Sequence, residues 1–314
     1  MALIVWTDLK HCVLKKIWRK LIRAFAVLNC CLPAYLRNRI MRLHTLKTML
    51  LGIPLLFSSG CNAPSWPKNY LIGKLAFLPE KTSSYPAIAE ANIEDYWLTT
   101  EDGVRIHSFY LKNTDADRVI LFFHGNAGNA YSRLGHANIL RDMGFNVLLV
   151  DYRGYGKSAG KPTEQGLYLD AQASYHAAIK DKGFAENKIY LYARSIGSTA
   201  AIELCRQYQV ASTVLVAPLS SGRAMARQMG FGWFDWLVAS VFDNLEKAKD
   251  ITSPVLIIHG GQDRIVPLAQ GRALYDAINH SSKKIVVADN SGHNDIQHSD
   301  EIDFWPLIQE FYNR

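Results

Sequence analysis

The chain is organised around the stretch Ile189-Tyr-Leu-Tyr-Ala-Arg-Ser-Ile-Gly-Ser-Thr-Ala-Ala201. An apolar run ends near Tyr192, Ser195 follows, and helix-compatible residues begin at once. This order predicts a β-strand, a sharp turn with a serine at its apex, and an α-helix. Such a turn strains the serine backbone and needs small residues two positions away on either side. Ala193 and Gly197 fill those positions, so Ser195 is a candidate nucleophile; an ordinary turn with an incidental serine is the alternative.

The positive charge of the chain is concentrated at its N-terminus. The 314 residues include 35 Lys and Arg and 28 Asp and Glu. Residues 1–60 hold ten of the basic residues and one acid, Asp8, which leaves 25 basic and 27 acidic residues for positions 61–314. That balance of −2 gives no charge argument for binding nucleic acid. We therefore expect no nucleic-acid partner.

No pattern in the rest of the chain is typical of a metal or cofactor site. Beyond Cys61 there is one cysteine, Cys205, so an internal disulfide is ruled out there, and no Cys/His spacing suits zinc. The stretch 151–159 resembles two nucleotide-binding loops: Gly154, Gly156 and Ala159 have the spacing of a dinucleotide-binding loop, and Gly156-Lys157-Ser158 resembles the end of a phosphate-binding loop. Lys161-Pro162 follows the first of these, at the position where a helix should begin. The second has Asp151 where its first glycine should stand. We expect neither a metal nor a cofactor.

Residues 1–61 contain two membrane-related signals. In residues 9–28, apolar side chains recur at helical spacing and basic residues fill the other face. This pattern predicts a basic amphipathic helix suited to an anionic membrane surface. A second signal has a short positive region from Met41, an apolar run over 48–57, and Ser58-Ser59-Gly60-Cys61. The apolar run has the length of a signal-peptide core and is too short to span a bilayer comfortably.

The second signal resembles a bacterial lipoprotein signal, in which the cysteine after a small residue is lipidated and becomes the new N-terminus. The resemblance implies lipidation of Cys61 and attachment to a membrane of the bacterial cell envelope. Ser58 departs from the usual leucine, and 40 residues precede Met41. Either Met41 is the true start or residues 1–40 form a further membrane-contacting piece. An uncleaved membrane anchor and a disordered basic tail are the alternatives. The proline-containing stretch 62–90 is predicted to be a tether.

From Ile93 onward, short apolar runs alternate with amphipathic segments. Glu101-Asp102-Gly103 separates two alternating stretches, which predicts an antiparallel hairpin. Continuous apolar strands that alternate with helices predict a parallel sheet covered on both faces. The predicted strands are Val119–Phe123, Val147–Val150, Ile189–Tyr192, Thr213–Val216, Val255–Ile258 and Lys284–Val287. The predicted helices lie near 129–142, 163–181, 196–208, 266–279 and 302–312.

Four motifs together resemble the α/β-hydrolase superfamily. They are His124-Gly-Asn-Ala-Gly-Asn129, Asp151-Tyr-Arg-Gly-Tyr-Gly-Lys-Ser158, the turn Ala193–Gly197, and Gly260-Gly-Gln-Asp-Arg-Ile-Val-Pro267 with Ser291-Gly-His293. The chain is most similar to the short-capped members grouped with serine aminopeptidases, esterases and thioesterases. The resemblance implies a domain over 91–314, with an eight-stranded, mostly parallel sheet, helices on both faces, and a short cap insertion at 219–250.

A serine hydroxyl needs a base to accept its proton, and the base needs a carboxylate to orient it. His293 is the expected base because it follows the last apolar strand in a glycine-containing loop; His298 is its rival. Asp263, just beyond a predicted strand, is the expected acid, and Asp295 is its competitor. The order Ser195, Asp263, His293 is the order of the superfamily.

An oxyanion also needs backbone N–H donors that are already in place. We expect one donor from Ile196, directly after the candidate nucleophile. The other is expected from Asn126 in the loop after Val119–Phe123, with Ala127 as the alternative register.

The favoured interpretation is a serine hydrolase that forms an acyl-enzyme at Ser195. Carboxylic esters or thioesters, in acyl-containing small molecules or lipidated substrates, are favoured because no acidic pair suggests recognition of a free amino terminus. A peptidase or amidase is the alternative among enzymes. The alternative that is not an enzyme is a catalytically silent, membrane-tethered binding protein. The aromatic residues of 219–250 either form an apolar acyl pocket or pack onto the body.

Overall fold

The computed structural model describes residues 76–86, 88, 92–238 and 240–314. The amphipathic segment predicted over 9–28, the signal-like stretch 41–61 with Cys61, and most of the predicted tether lie outside these residues. Within the described ranges, no helix is long and apolar enough to cross a membrane.

Strands and helices alternate along most of the described chain. The strands are β1 (Leu78–Pro79), β2 (Ile93–Thr99), β3 (Arg105–Leu111), β4 (Val119–Phe123), β5 (Ala127–Gly128), β6 (Asn146–Val150), β7 (Ile189–Arg194), β8 (Ser212–Val216), β9 (Val255–Gly260) and β10 (Lys283–Ala288). The α-helices are α1 (Leu134–Asp142), α2 (Glu164–Lys180), α3 (Gly197–Gln207), α4 (Gly222–Gln228), α5 (Asn244–Ala248), α6 (Leu268–Ala277) and α7 (Phe304–Tyr312). Short 3₁₀ helices cover Ala130–Arg133, Glu186–Lys188, Gly232–Val238 and Ile296–His298.

Eight of the strands form one sheet in the order β10-β9-β8-β7-β4-β6-β3-β2. The pairings of β2 with β3 and of β3 with β6 are antiparallel, and the others in this sheet are parallel. The fold class predicted from the sequence is therefore confirmed. The carboxyl ends of the parallel strands β4, β6, β7, β8, β9 and β10 meet at one edge, and the loops after β4, β6, β7, β9 and β10 carry the four motifs.

The core has two layers because successive side chains of a strand point to opposite faces. On one face, Leu121 of β4 and Leu191 of β7 belong to a cluster that includes residues of α2, α3 and α6. On the other, Phe122 and Tyr192 belong to a cluster that includes residues of α1 and α7. All five residues of β4 are buried, as expected for a central parallel strand.

Residues 77–85, which we call the strap, pack against the body. Phe77 is buried, and β1 of the strap pairs in parallel with β5 in a separate two-stranded sheet. The prediction of a tether over 62–90 included no contacts with the domain, whereas in the structure packed residues begin at Phe77. Its prolines are typical of a linker, but Pro79 fits an edge strand, where a missing N–H leaves no ladder bond unmade.

The interruption predicted at 219–250 contains α4, the 3₁₀ helix Gly232–Val238 and α5. Its aromatic residues have different environments. Phe242 is buried, and its ring contacts Phe77 at a centroid distance of 5.9 Å. Trp233 and Trp236 are 63% and 61% exposed. Hence neither tryptophan lies in an enclosed pocket, and neither is buried in the core.

Candidate active site

Ser195 lies at the apex of the turn between β7 and α3. Its backbone has φ of 53°, in the left-handed region that non-glycine residues rarely adopt. The Ser195 N–H donates to Val216 O at 2.9 Å, which fixes the turn against β8. A Cβ at Gly197 would overlap the carbonyl oxygens of Phe123 and His124, so glycine is required there. Ala193 is fully buried, so the strand accommodates its extra methyl group.

Asp263 and His293 lie next to each other at the same edge of the sheet. The distance from His293 Nδ1 to Asp263 Oδ2 is 2.6 Å. Asp263 Oδ1 accepts the backbone N–H groups of Ile265 and Val266, both at 2.8 Å. Burial alone would raise the pKa of Asp263, but hydrogen bonds with His293 and these N–H groups lower it below its usual range. The carboxylate is thus held charged and oriented toward the imidazole.

A second histidine lies behind Asp263. His259, at the end of β9, is fully buried, and its Nε2–H donates to Val266 O at 2.8 Å. The same nitrogen is 3.6 Å from Asp263 Oδ2. Burial lowers the pKa of His259 below 6.5, which favours the neutral ring. His259 therefore braces the turn that presents Asp263.

The loop that carries His293 is fixed from two sides. Arg194 Nη2 donates to His293 O at 2.7 Å, and Gly292 N donates to Asp295 Oδ1 at 2.7 Å. Asp295, the competitor for the acid position, therefore shapes this loop. His298 is exposed, and its side chain makes no hydrogen bond or ion pair with the described residues. Of the two candidate bases, His293 is the one in contact with Asp263.

Ser195 Oγ and His293 Nε2 make no hydrogen bond within 3.5 Å in the part of the chain that the structure describes. Ser195 is 9% exposed, so its surroundings leave limited access to solvent. Catalytic hydrogen bonds are often long without substrate and shorten when it binds.

The loop after β4 lies over the serine. A Cβ at Gly125 would be 3.6 Å from the Cβ of Ser195. Tyr155 Oη donates to Asn126 O at 2.8 Å, and Tyr152 Oη donates to His124 O at 2.8 Å. The Asn126 N–H has no hydrogen-bond acceptor among the described residues. Because the side chain of Ile196 is also largely buried, the loop and the start of α3 enclose the serine closely.

A buried carboxylate, Asp151, joins this loop to the loop after β6. Its Oδ1 accepts Ala130 N at 2.7 Å, and its Oδ2 accepts Tyr85 Oη at 2.6 Å. His107 Nδ1 is 3.2 Å from the same Oδ2. Burial disfavours the charged form, but hydrogen bonds with His107 and Tyr85, together with the His124 ring 3.7 Å away, lower the pKa of Asp151 well below its usual range. The motif that resembles a nucleotide-binding loop thus forms a structural support of the site.

Several of these supporting residues are not predicted from the sequence. For Arg194, the only indication of a supporting role in the sequence is its position immediately before Ser195. Tyr85 lies in a segment with the composition of a linker, and His107 lies in an ordinary alternating strand. Their contacts depend on tertiary structure, with separations of 66 and 44 residues from Asp151, so no local pattern marks them.

The parallel sheet, the strained serine turn and the loops at the strand ends define an α/β hydrolase. The chain matches the family described as serine aminopeptidase, S33, over residues 114–246 and 223–299. It is 32% identical over 212 residues to human alpha/beta hydrolase domain-containing protein 17B, a match that covers 65% of this chain and 70% of that protein. On this evidence the chain belongs to the serine aminopeptidase S33 family and is a hydrolase.

Solved structures share the fold. An esterase from Pyrococcus furiosus superposes with a TM-score of 0.64 at 22% identity, which covers 75% of this chain and 98% of the esterase. Acetyl xylan esterase 1 from a Thermoanaerobacterium species gives a TM-score of 0.60 at 19% identity, which covers 80% of this chain and 98% of that enzyme. At these identities the likeness shows the fold alone.

Proposed function

We propose that this hydrolase acts through an acyl-enzyme at Ser195. His293 accepts the hydroxyl proton as Ser195 Oγ attacks the carbonyl carbon of the substrate, and Asp263 stabilises the resulting imidazolium. His293 then gives the proton to the leaving group as the bond between that group and the carbonyl carbon breaks, which leaves the acyl group bound to Ser195 Oγ. In the second half of the reaction, His293 takes a proton from water and the resulting hydroxide attacks the acyl carbon. The bond from that carbon to Ser195 Oγ then breaks, Ser195 Oγ takes the proton back from His293, and the carboxylic acid departs.

In this proposal the backbone N–H groups of Ile196 and Asn126 stabilise the oxyanion. The free N–H of Asn126 and the approach of Gly125 to Ser195 support this assignment. Ile196 lies at the N-terminal end of α3, where backbone N–H groups have no intrahelical partner and the helix dipole favours negative charge. One such donor typically contributes about 10²–10³-fold to the rate.

The observation that carries the proposal is the combination of the strained Ser195 turn with the Asp263–His293 pair. A fluorophosphonate probe tests it directly, because such a probe reacts only with an activated serine. We expect the full chain to be labelled and Ser195→Ala to remain unlabelled at equal fold stability. Equal labelling of the two proteins, or none of the folded wild type, would favour the catalytically silent binding protein.

We propose carboxylic esters or thioesters of apolar acyl groups as substrates. Gln228 Nε2 donates to Arg264 O at 2.8 Å, so the 219–250 insertion lies against the residue next to Asp263. Three large exposed apolar side chains, Trp233 and Trp236 of the insertion and Ile265 next to Arg264 in sequence, offer a surface for an acyl chain. A series of p-nitrophenyl esters should show kcat/KM rising with chain length. Trp236→Ser should reduce that rise, whereas Trp97→Ser, on the distant edge strand β2, should not.

A peptidase or amidase is the second candidate, because the family to which the chain belongs is described as serine aminopeptidase. Aminoacyl p-nitroanilides with a free amino group test it against matched p-nitrophenyl esters. Higher kcat/KM for the anilides, lost when the amino group is acetylated, would favour this candidate over the ester hydrolase.

We also propose that Cys61 is lipidated and that the N-terminal segment holds the protein at a membrane, as in a bacterial envelope lipoprotein. The motif Ser58–Cys61 and the charge of residues 1–60 support the proposal. Mass spectrometry of the N-terminus of the natural protein tests it. A peptide that spans Gly60–Cys61 intact would rule out lipidation and leave an uncleaved anchor or a basic tail as the explanation.

A further inference from the structure

The strap contacts the loop that we assign to the oxyanion. Leu78 N donates to Asn126 Oδ1 at 2.7 Å, and Glu80 N donates to Gly128 O at 3.1 Å. Between these bonds, Leu78 and Pro79 pair in parallel register with Ala127 and Gly128. A segment that precedes the domain in sequence is thus hydrogen-bonded directly to the loop above Ser195.

The other side of the strap contacts the loop after β6. Gly156 N donates to Glu80 O at 3.0 Å, and Thr82 N donates to Gly156 O at 3.0 Å. Tyr85 Oη donates to Asp151 Oδ2 at 2.6 Å. Phe77 packs edge-to-face on Tyr155 at a centroid distance of 6.5 Å. The strap therefore joins the loops after β4 and β6, which are otherwise joined mainly by Asp151 and by the hydroxyl groups of Tyr152 and Tyr155.

These contacts hold Asn126 at its carbonyl and at its side chain. Its carbonyl oxygen accepts Tyr155 Oη, and its side-chain oxygen accepts Leu78 N, while its N–H is left free. The N–H itself belongs to the Gly125–Asn126 peptide unit, whose carbonyl oxygen, Gly125 O, is 2.7 Å from His124 Nδ1. Leu78 and Tyr155 hold the side chain and the carbonyl of Asn126, and thereby anchor the end of that peptide unit at the Asn126 Cα. Oxyanion donors act only if they are held in place before the charge develops, and a misplacement of about 1 Å can cost about 10²-fold in rate.

We propose that the strap is a positioning element for the oxyanion hole. Its backbone bonds at Leu78 and Glu80 and its Tyr85 hydroxyl hold the Asn126 N–H in the orientation that stabilises the transition state. The inference rests on the proposed acyl-enzyme mechanism and adds to it a set of residues outside the four motifs. It assigns the strap a role in kcat, with little role in binding the ground state.

Proline substitutions in the full chain separate this role from simple packing. Glu80→Pro removes the N–H that donates to Gly128 O, and the Glu80 side chain is exposed. Lys81→Pro is the matched control, because Lys81 is also exposed and its N–H makes no hydrogen bond with another described residue. Both variants place the same ring at adjacent positions of the same extended segment. Tyr85→Phe removes the bond to Asp151 without any change in the backbone.

The readouts are kcat and KM for a p-nitrophenyl ester and the affinity for an alkyl boronic acid, which forms a tetrahedral adduct with an active serine. We expect Glu80→Pro to lower kcat about tenfold, with KM within about twofold of the wild-type value. The affinity for the boronic acid should fall by about the same factor as kcat. Tyr85→Phe should lower kcat by about twofold to fivefold. Lys81→Pro should match the wild type in all three quantities.

Equal kcat values for Glu80→Pro and Lys81→Pro would overturn the proposal. So would a fall in kcat with unchanged affinity for the boronic acid, since the loss would then not lie in stabilising the tetrahedral state. Failure of the mechanism itself has a different signature, because the wild-type protein would then not react with a fluorophosphonate. In that case the proposed role of the strap would be disproved together with the mechanism.

Discussion

Gly197 shows how one residue can determine the geometry of the serine turn. Any Cβ there would overlap backbone oxygens at the end of β4, so α3 could not begin where it does. We expect Gly197→Ala to lower the free energy of unfolding by about 1–3 kcal/mol, since backbone atoms must move apart. It should also reduce fluorophosphonate labelling, because Ser195 and the loop after β4 would separate.

The matched control is Gly135→Ala. Gly135 lies in the first turn of α1, and a Cβ there would meet nothing within 4 Å. The same change should stabilise the protein by about 0.5–1 kcal/mol, the usual gain of alanine over glycine in a helix. Urea unfolding measures both variants. A loss of stability of similar size in the two would mean that the close approach at Gly197 is not the cause.

His136 should make stability depend on pH. Burial, with smaller contributions from Arg194, Arg133 and His298, lowers the pKa of His136 from 6.5 to about 4. The unfolded chain therefore binds a proton at this position at a higher pH than the native chain does. The free energy of unfolding should fall as pH decreases from 6.5 to about 4, by about 1–3 kcal/mol from this residue.

Other groups titrate in the same range, so the measurement is a difference between two proteins. His136→Gln should show a shallower decrease of unfolding free energy between pH 6.5 and 4 than the wild type. Urea titrations at intervals of half a pH unit give the comparison. Parallel curves for the two proteins would contradict the assigned direction of the shift.

At the scale of elements, Arg153 connects three parts of the fold. Its Nη1 donates to Asp102 Oδ2 at 2.7 Å in the turn of the β2–β3 hairpin, and its Nε donates to Asp170 Oδ1 at 2.9 Å on α2. Arg153 itself follows β6. Burial raises the pKa of Asp170 to about 6 even with Arg153 beside it, so this carboxylate depends on its partner.

We expect Arg153→Met to lower the free energy of unfolding by about 3–5 kcal/mol at neutral pH, because a fully buried carboxylate loses its partner. The double variant Arg153→Met with Asp170→Asn should recover much of that loss. A double-mutant cycle by urea unfolding checks the pair. A double variant no more stable than Arg153→Met would show that the unpaired carboxylate is not the main cost.

The strap illustrates which elements the sequence could not predict. Strands such as β4 were predicted with their observed bounds because a fully buried strand is continuously apolar. β1 has two residues, one of them a proline, and both are exposed. Its contacts are backbone hydrogen bonds to a distant loop, which leave no hydrophobic period in the sequence. Composition alone therefore predicted a tether for a segment that partly packs.

On the scale of the whole molecule, the fold could be predicted because its signals are redundant. Six apolar strands, the intervening helices and the turn at Gly103 each indicate the same sheet, and small errors at element ends do not change it. The candidate site was predictable in part. Asp263 and His293 follow strands β9 and β10, and the structure places their side chains in contact. The supporting contacts of Arg194, His259 and Tyr85 depend on three-dimensional packing, so their partners could not be deduced.

The buried thiol of Cys205 can report how often the fold opens locally around α3. The thiol lies on α3, the helix that begins at the serine turn, and burial raises its pKa to about 11. A buried, protonated thiol does not react with iodoacetamide, so alkylation at this position proceeds only through molecules that have opened around α3. Peptide mapping distinguishes Cys205 from the four cysteines before residue 62. The alkylation rate of this single thiol would therefore report how often the helix behind Ser195 separates from the sheet, under conditions in which nearly every molecule is folded.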